Sequence, residues 1–389
     1  MFNVKLLNKI SASGLDRLDA TKYTCADEIE NYDAVLVRSA AIHEMEFPAS
    51  LKAIARAGAG VNNIPLDRCS EEGIVVFNTP GANANAVKEL VIAGLLISSR
   101  RVIPAIDWAK TLKGNGAEVL KMVEKGKSAF AGPEIMGKKL GVIGLGAIGI
   151  NVANAANALG MTVYGYDPFL SVDAAWHLAD SVKHSTDLKE IYQECDYITV
   201  HVPLNDETRG MINAETIATM KDGVRILNFA RADLVNDVDL IAALETGKVA
   251  AYVTDFPTDS VLGVDGVIAI PHLGASTPES EDNCASMAAG ELIDFLENGN
   301  IVNSVNMPAI SCPRAKGSRV CVIHKNIPNM LSQISAIISA ENINIENMMN
   351  KSRKDYAYTI IDATEGTIPA AAVEKVEAID GVIRVRVID

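Results

Sequence analysis

Short apolar runs alternate along the chain with longer segments that are apolar at helical spacing, which predicts a protein of mixed α/β class. Residues 86–110 predict one long buried helix. The strands that the apolar runs predict before this helix are Val4–Leu7, Ala34–Val37, Ile54–Ala57 and Val75–Phe77. We therefore expect a small α/β unit in residues 1–97, with the helix crossing from it into the next unit.

The middle of the chain repeats this alternation more regularly. Its predicted strands are Leu140–Ile143, Met161–Tyr166, Tyr197–Val202, Val224–Phe229, Val249–Phe256 and Val267–Ile270. Strands that alternate with helices in this way form a parallel sheet with helices on both faces. The connection at 111–139 is charged and is expected on the surface, and residues 279–298 predict one amphipathic helix.

A linker that contains proline and glycine, at 308–317, precedes the last part of the chain. The strands predicted there are Arg319–His324, Ile343–Lys351, Tyr356–Ala363 and Val382–Val387, and the helices are Met330–Ala340 and Ala370–Ala378. This βαββαβ order is ferredoxin-like and predicts a separate folding unit of about 70 residues.

Length and composition narrow the function classes. With 389 residues, of which 49% are hydrophobic, the chain is long enough for two or three domains. The formal net charge of −14 argues against nucleic-acid binding as the main activity. The six cysteines are scattered, with no C-x-x-C pair, which indicates reduced thiols in a cytoplasmic protein and no metal site. The N-terminus lacks a signal-peptide layout, and no apolar run reaches membrane-spanning length.

The strongest motif is a G-x-G-x-x-G run formed by Gly144, Gly146 and Gly149, between a predicted strand and a predicted helix at 148–159. Such glycines permit a tight turn, a close approach of the backbone to a pyrophosphate, and close packing of the helix on the strand. Asp167 ends the next strand, where a carboxylate bonds the ribose hydroxyls and favours NAD over NADP. The alternative is a glycine-rich turn in another kind of α/β protein.

Chemically useful side chains follow the later strands. Ligands of parallel sheets bind beyond the carboxyl ends of the strands, where this chain places Pro203, Arg231, Asp255, Asp259 and His272. His272 is the best acid–base group, and Asp259 could orient it and favour its imidazolium form. Arg231 could form a fork on a substrate carboxylate, and its alternative is a structural ion pair. The remaining five histidines are expected to be structural.

Two loops, 56–63 and 78–85, are rich in Gly and Asn. These residues tolerate left-handed backbone and expose N–H groups. The loops are therefore either surface turns or a pair that presents amides to a small polar ligand.

Taken together, several segments resemble the D-isomer-specific 2-hydroxyacid dehydrogenases. They are the glycine motif with Asp167, Val202-Pro203-Leu204 with Thr208, Asn228–Arg231, Asp255-Phe256-Pro257 and Pro271–Thr277. The resemblance covers the whole chain and implies a Rossmann-type NAD-binding domain at 98–278, inserted in a flavodoxin-like substrate-binding domain at 1–97 and 279–307. The linker at 308–317 would lead to a ferredoxin-like ACT regulatory domain at 318–389.

The resemblance also implies roles for particular residues. His272 would move the proton and Arg231 would hold the substrate carboxylate, with Asp259 in the place of the family's usual Glu. Asp255 and Thr254 both stand near the family's strand-end aspartate, and Ala232 replaces a usual Gly. The implied cofactor-binding residues are Gly144, Gly146, Ala147, Ile148, Gly149, Asp167, Val202, Pro203, Thr208, Ala230, Asp255 and Gly274. The implied substrate-binding residues are Arg38, Ser39, Ala59, Gly60 and Asn83, and the implied regulatory residues are His324, Asn326 and Asn344.

The function implied is NAD-dependent oxidation of a phosphorylated 2-hydroxy acid by a homodimer or homotetramer, with Arg38 and less clearly Arg56 facing the phosphate. Both arginines could instead be solvated surface groups. L-Serine is an implied effector, and an ACT domain kept only for assembly is the alternative. Two other functions stay open: a dehydrogenase for hydroxypyruvate or 2-oxoglutarate, and an NAD(H)-sensing corepressor.

Overall fold

The structure is a computed structural model that describes all residues from 1 to 389. Its strands are β1 (Phe2–Leu7), β2 (Tyr23–Ala26), β3 (Ala34–Val37), β4 (Ala53–Arg56), β5 (Val75–Asn78), β6 (Lys139–Ile143), β7 (Thr162–Tyr166), β8 (Lys183–His184), β9 (Tyr197–Val200), β10 (Val224–Asn228), β11 (Val249–Thr254), β12 (Val267–Ala269), β13 (Arg319–Lys325), β14 (Ile345–Arg353), β15 (Tyr356–Ala363) and β16 (Val382–Ile388).

Its α-helices are α1 (Ala12–Leu15), α2 (Leu66–Glu71), α3 (Ala84–Ser99), α4 (Val102–Thr111), α5 (Val119–Gly126), α6 (Ala147–Ala158), α7 (Val172–Ala175), α8 (Leu188–Glu194), α9 (Ala214–Thr219), α10 (Asp237–Glu245), α11 (Pro278–Asn298), α12 (Met330–Ala340) and α13 (Ala370–Glu377). None of them combines the length and the apolar character that a bilayer crossing requires. The chain divides into two compact units, Met1–Asn83 with Pro278–Asp389 and Ala84–Thr277.

In the first unit, five parallel strands form a sheet in the order β2-β1-β3-β4-β5, which is the flavodoxin-like order. Strands β3 to β5 are short, and their residues are mostly apolar because both faces of the sheet are covered. On one face, α11 packs Leu292, Phe295 and Leu296 into the main hydrophobic cluster. The sequence pattern missed β2, whose residues are only half buried at the sheet edge.

In the second unit, seven parallel strands have the order β12-β11-β10-β9-β6-β7-β8. The first strand, β6, lies inside the sheet, and the next two strands extend the sheet from β6 to its edge at β8. The following strand, β9, lies on the opposite side of β6, and β10 to β12 extend the sheet to its other edge. The order therefore reverses between β6 and β9, and open α/β sheets bind ligands beyond the strand ends at such a point. The single helix predicted at 86–110 is wrong: α3 ends at Ser99, and α4 begins at Val102 after Arg101 breaks the helical backbone. The surface connection at 111–139 also contains α5.

The C-terminal residues form a four-stranded antiparallel sheet with the order β14-β15-β13-β16, which is the ferredoxin-like order. On one face, α12 and α13 pack Ile334 and Val376 against it. The other face is not solvated, because Cys321, Ile323 and Tyr358 belong to the same hydrophobic cluster as α11. The two sheets of the first unit therefore share one core through α11.

The arginine of a buried ion pair within this C-terminal sheet also bonds the preceding segment. Arg319 on β13 donates from Nε and Nη2 to the two carboxylate oxygens of Asp362 at 2.6 and 2.8 Å. The same guanidinium donates to the carbonyl oxygens of Asn298, Cys312 and Pro313 at 2.7 to 3.0 Å. Both charged side chains are fully buried. The end of α11 and the linker are thus bonded to the sheet rather than free.

Candidate active site

The glycine motif forms a cradle where β6 turns into α6. Gly144 has a φ of +93°, and a Cβ there would lie 2.6 Å from the carbonyl oxygen of His201. A Cβ on Gly149 would lie 1.9 Å from the carbonyl oxygen of Gly144, so the helix can approach the strand only with glycine at this position. Above Gly146 no atom lies within 4 Å, which leaves open space at the helix N-terminus. Free N–H groups and the positive helix end suit a phosphate there.

Asp167 follows β7 and is held by two backbone bonds. Its Oδ2 accepts the Leu145 N–H at 2.8 Å, and its Oδ1 accepts the Phe169 N–H at 2.8 Å. It borders a cavity of about 660 Å³ that apolar side chains such as Leu170 and Val182 also line. Asp180 and Lys183 line the same cavity, but Asp167 is the carboxylate at the end of β7, the position that fits the adenosine half of NAD. The cradle and this cavity together satisfy the requirements of a dinucleotide.

His201 lies directly after β9, beneath the cradle. Its Nε2 lies 2.9 Å from the Thr199 hydroxyl, and its Nδ1 is buried without a partner. Burial lowers the pKa of His201 to about 4, so the ring is neutral at pH 7. Thr208, which the resemblance assigned to the cofactor, donates to the Pro203 carbonyl at 2.6 Å and closes the loop that follows. Sequence reasoning gave His201 no role beyond a structural one.

The end of β10 is shaped by Asn228. Its Nδ2 donates to the carbonyl of Arg231 at 2.8 Å and to the Tyr252 hydroxyl at 3.1 Å. Its Oδ1 accepts the N–H groups of Ala230 and Arg231. A fully buried amide therefore fixes the turn that projects Arg231 beyond the sheet. The Arg231 side chain is exposed and forms no ion pair with the protein, so the alternative of a structural ion pair is wrong.

Phe256, after β11, brings the two main side chains of the site together. The His272 ring lies 4.3 Å from the Phe256 ring, centroid to centroid, and the Arg231 guanidinium carbon lies 5.6 Å from the same ring. Asp255 precedes Phe256 and is 1% exposed. Its Oδ2 accepts the Gly274 N–H at 3.1 Å, two residues beyond His272. The site thus combines an imidazole, a guanidinium and a buried carboxyl at neighbouring strand ends.

The expected contact between Asp259 and His272 is not present. Asp259 is exposed and makes no hydrogen bond or ion pair. The hydroxyl groups of its neighbours, Thr258 and Ser260, both donate to Asp237 at 2.5 Å. These bonds hold the loop to the start of α10, and the Asp259 side chain stays in solvent.

The substrate-side residues lie in the first unit. Arg38 Nη2 is 2.6 Å from Glu281 Oε1, and both side chains are partly exposed. Arg56 donates from Nε to the Arg38 carbonyl, and its guanidinium lies under Gly58, whose φ is +146°. Arg56 therefore supports the loop rather than facing solvent. Ser39 donates its N–H to Asn8, while the carbonyl of Ala59 accepts from Asn78. Gly60 and Asn83 are partly buried in the same two loops.

Of the residues expected to regulate the protein, His324 lies on β13, while Asn326 directly follows β13 and Asn344 directly precedes β14. His324 is buried, with Nδ1 at 2.8 Å from the Lys325 carbonyl and Nε2 at 2.9 Å from the Thr359 hydroxyl. Asn326 and Asn344 are exposed, and their amides donate to the Lys354 carbonyl and the Thr364 hydroxyl. Both ring nitrogens of His324 are thus occupied within the protein. Asn329, directly before α12, has a left-handed backbone with a φ of +69°.

The chain is similar to known proteins. Residues 93–274 match the model of the D-isomer specific 2-hydroxyacid dehydrogenase, NAD binding domain. The chain is 32% identical over 412 residues to D-3-phosphoglycerate dehydrogenase of Haemophilus influenzae, and the match covers 98% of this chain and 96% of that protein. This chain belongs to the D-isomer-specific 2-hydroxyacid dehydrogenase family. The resemblance found in the sequence is therefore confirmed at the level of the family.

Further members of the dehydrogenase family match over different lengths. D-3-phosphoglycerate dehydrogenase of Bacillus subtilis is 37% identical over 330 residues, which cover 80% of this chain and 60% of that protein. The NAD⁺-bound 3-phosphoglycerate dehydrogenase of Entamoeba histolytica superposes with a TM-score of 0.60 at 26% identity, covering 78% of this chain and 98% of that one. The Rossmann-type fold of the second unit is thus that of the dehydrogenase family, and the chain spans less than two thirds of the Bacillus relative.

Proposed function

We propose that this chain is an NAD-dependent dehydrogenase that oxidises D-3-phosphoglycerate to 3-phosphohydroxypyruvate, the first step of L-serine biosynthesis. The observation that carries the proposal is the arrangement of Arg231 and His272 against Phe256, in the same unit as the dinucleotide cradle. The relatives named D-3-phosphoglycerate dehydrogenase support the choice of substrate. The six unpaired cysteines support a cytoplasmic location.

Each side chain of the site would have a distinct task. The Arg231 guanidinium has no protein carboxylate, so its N–H groups can bind the substrate carboxylate in a bidentate fork. His272 then accepts the C2 hydroxyl proton on its unprotonated ring nitrogen. When bound, NAD supplies the group that accepts the hydride from C2. Asp167 would hold the adenine ribose, and Phe256 keeps Arg231 and His272 at a fixed spacing.

Arg38 is the proposed phosphate contact. In the structure its guanidinium is paired with Glu281 at 2.6 Å. A phosphate carries more charge than a carboxylate and forms bidentate bonds with arginine, so it can compete for this partly exposed pair. Glu281 would then act as the group that holds Arg38 in position before the substrate arrives.

The decisive experiment compares substrates in the reductive direction. NADH oxidation is measured with 3-phosphohydroxypyruvate, hydroxypyruvate and 2-oxoglutarate at equal concentrations. We expect kcat/KM to be higher for the phosphorylated substrate by a factor of about one hundred, or about 2.7 kcal/mol. Arg38→Met should remove most of this preference. Arg17→Met is the matched control, because Arg17 is an exposed arginine bonded only to the Ser286 hydroxyl. Comparable kcat/KM values for the three acids would contradict the choice of substrate.

The proposal also includes assembly and regulation. The apolar side chains of Val102, Ile103, Ile106 and Leu120 are exposed on α4 and α5, which supports a homodimer or homotetramer formed by covering them.

We further propose the three-part organisation predicted from the sequence, with residues 318–389 as an ACT domain that binds L-serine near His324, Asn326 and Asn344. Sedimentation of the protein and titration with L-serine test these two points; a monomer, or no heat of binding at millimolar serine, would contradict them.

A further inference from the structure

Polar residues stand at the ends of neighbouring strands in the sheet of the first unit. Strands β1, β3, β4 and β5 are parallel, and the residues at or directly after their ends are Asn8, Arg38, Arg56 and Asn78. The last residues of β1 and β3 are partners in the ladder, so Asn8 and Arg38 leave the sheet side by side. A side chain at one strand end can therefore reach the loop that follows the next strand.

Asn8 reaches over the end of β3 and accepts two backbone hydrogen bonds. Its Oδ1 accepts the N–H of Ser39 at 3.0 Å and the N–H of Ala40 at 2.7 Å. Asn8 has a left-handed backbone, with a φ of +70°, directly after β1. Asparagine adopts this conformation more readily than most residues that carry a side chain. The residue type at position 8 therefore suits both the turn and the bonds to the neighbouring loop.

Two further side chains hold the same loop. Arg56 donates from Nε to the carbonyl of Arg38 at 3.0 Å, and Asn63 donates from Nδ2 to the carbonyl of Ala40 at 2.8 Å. With the two N–H bonds described above, four main-chain groups at residues 38–40 are bonded to side chains from outside the loop. Because the N–H groups of Ser39 and Ala40 are occupied, a ligand would meet the side chains of this loop.

We infer that Asn8 is a positioning residue for the substrate phosphate, because it fixes the loop that carries Arg38. This inference rests on the proposed function, in which Arg38 binds that phosphate. Glu281 holds the Arg38 guanidinium at 2.6 Å, while Asn8 holds the backbone from which the side chain extends. A loop without the Asn8 bonds would have to become ordered when the phosphate binds, and this ordering reduces affinity.

The first experiment measures the loop directly and does not depend on turnover. Asn8→Gly removes the amide and retains the left-handed backbone, which glycine adopts readily. Hydrogen exchange of the full-length protein, followed by mass spectrometry, should show the amides of residues 39 and 40 exchanging about fivefold faster in this variant. Asn342→Gly is the matched control, because Asn342 is also exposed and left-handed, with a φ of +55°. It should leave the exchange of residues 39 and 40 unchanged.

The second experiment measures NADH oxidation by the same variants. In Asn8→Gly we expect the KM for 3-phosphohydroxypyruvate to rise by about five- to tenfold, because the loop is no longer fixed before the phosphate binds. The kcat and the KM values for NADH and for hydroxypyruvate should each stay within about twofold of wild type. In an Arg38→Met background, Asn8→Gly should change the KM for 3-phosphohydroxypyruvate by less than about twofold, because its effect acts through Arg38.

Four results would overturn the inference. They are an unchanged exchange rate in Asn8→Gly, faster exchange with an unchanged KM for 3-phosphohydroxypyruvate, an equal rise in KM for both oxo acids, and an undiminished effect in the Arg38→Met background. Failure of the proposed function looks different, because the wild-type protein itself would then show no preference for the phosphorylated acid. The role of Asn8 in phosphate binding would fall with it, while the exchange comparison would still show whether Asn8 holds the loop.

Discussion

Asp362 and Asp255 are both almost completely removed from solvent, yet their surroundings differ. Asp362 receives two hydrogen bonds from the Arg319 guanidinium, which is itself saturated by backbone carbonyls. Asp255 receives one backbone bond and keeps an oxygen without a partner. Asp362 lies where the C-terminal sheet packs against the end of α11. Asp255 lies at the end of β11, next to Phe256, which contacts Arg231 and His272. The two buried carboxyls therefore differ in how completely their oxygens are hydrogen-bonded.

Removing the Arg319 cation leaves the paired carboxylate, Asp362, without its partner, and this change should have the largest effect on stability. Arg319→Met leaves the Asp362 charge buried without its partner, and we expect the free energy of unfolding to fall by about 3–5 kcal/mol. Urea unfolding measures the change. The double variant Arg319→Met/Asp362→Leu removes both charges and should recover about half of the loss or more. A single variant as stable as wild type would show that the pair contributes nothing to the fold.

Glu291 extends the comparison to a third buried acid, on α11. It is 8% exposed, and burial raises its pKa to about 8, although the Asn303 amide opposes the rise. The Glu291 carboxyl titrates near pH 4.5 in the unfolded chain and near pH 8 in the folded one. Between these two pH values the folded chain holds a proton that the unfolded chain has lost. The free energy of unfolding therefore falls as the pH rises through this range.

Glu291→Gln cannot ionise and should lose this pH dependence. We expect the variant to be more stable than wild type by about 2 kcal/mol at pH 8.5 and equal to it near pH 5. Thermal unfolding at the two pH values measures the difference. Glu279→Gln, at an exposed position of the same helix, is the control and should change little at either pH. A stability difference that is the same at both pH values would contradict the raised pKa.

Asp255→Asn should have the smallest effect on stability, with a sign opposite to that of Arg319→Met. The amide keeps the oxygen that accepts from Gly274 and removes a charge that lacks donors, so we expect the free energy of unfolding to rise by about 1 kcal/mol at pH 8. The same substitution at Asp362 should lower it, because Arg319 would lose its counter-charge. If both variants lost stability equally, the distinction between the two carboxylates would be wrong.

The sequence pattern was sufficient for most of the architecture. Apolar runs located the main strands of all three sheets, and the glycine motif located the cradle, because such features depend on neighbouring residues in the chain. The break between α3 and α4 was missed, since apolar spacing continues through Arg100 and Arg101 although the backbone does not. Strands β2 and β8 are short or half exposed and leave little periodic signal.

For the candidate site, too, some features were predictable from the sequence and others were not. Strand ends predicted that His272 and Arg231 would lie near each other, because parallel strands end at one edge. That Asp255 is buried and Asp259 exposed could not be predicted from spacing, since it depends on which side chain turns inward after β11. The pair between Arg319 and Asp362 joins strands 43 residues apart along the chain and has no local signature. The signal that could have pointed to it is a charged residue at the start of an otherwise apolar strand.

The shared core around α11 has a consequence for how such proteins can be rearranged. A C-terminal sheet of this size can be regarded as a unit that gene fusion adds to, or removes from, an otherwise complete protein. Here the sheet at 319–388 buries Phe295 and Leu296 together with Cys321 and Tyr358, and Tyr358 bonds the Gly299 carbonyl at 2.7 Å. Truncation at residue 317 would expose part of the interior of the remaining protein. Loss or exchange of this segment therefore requires compensating changes along α11, and the two parts are expected to be inherited as one piece.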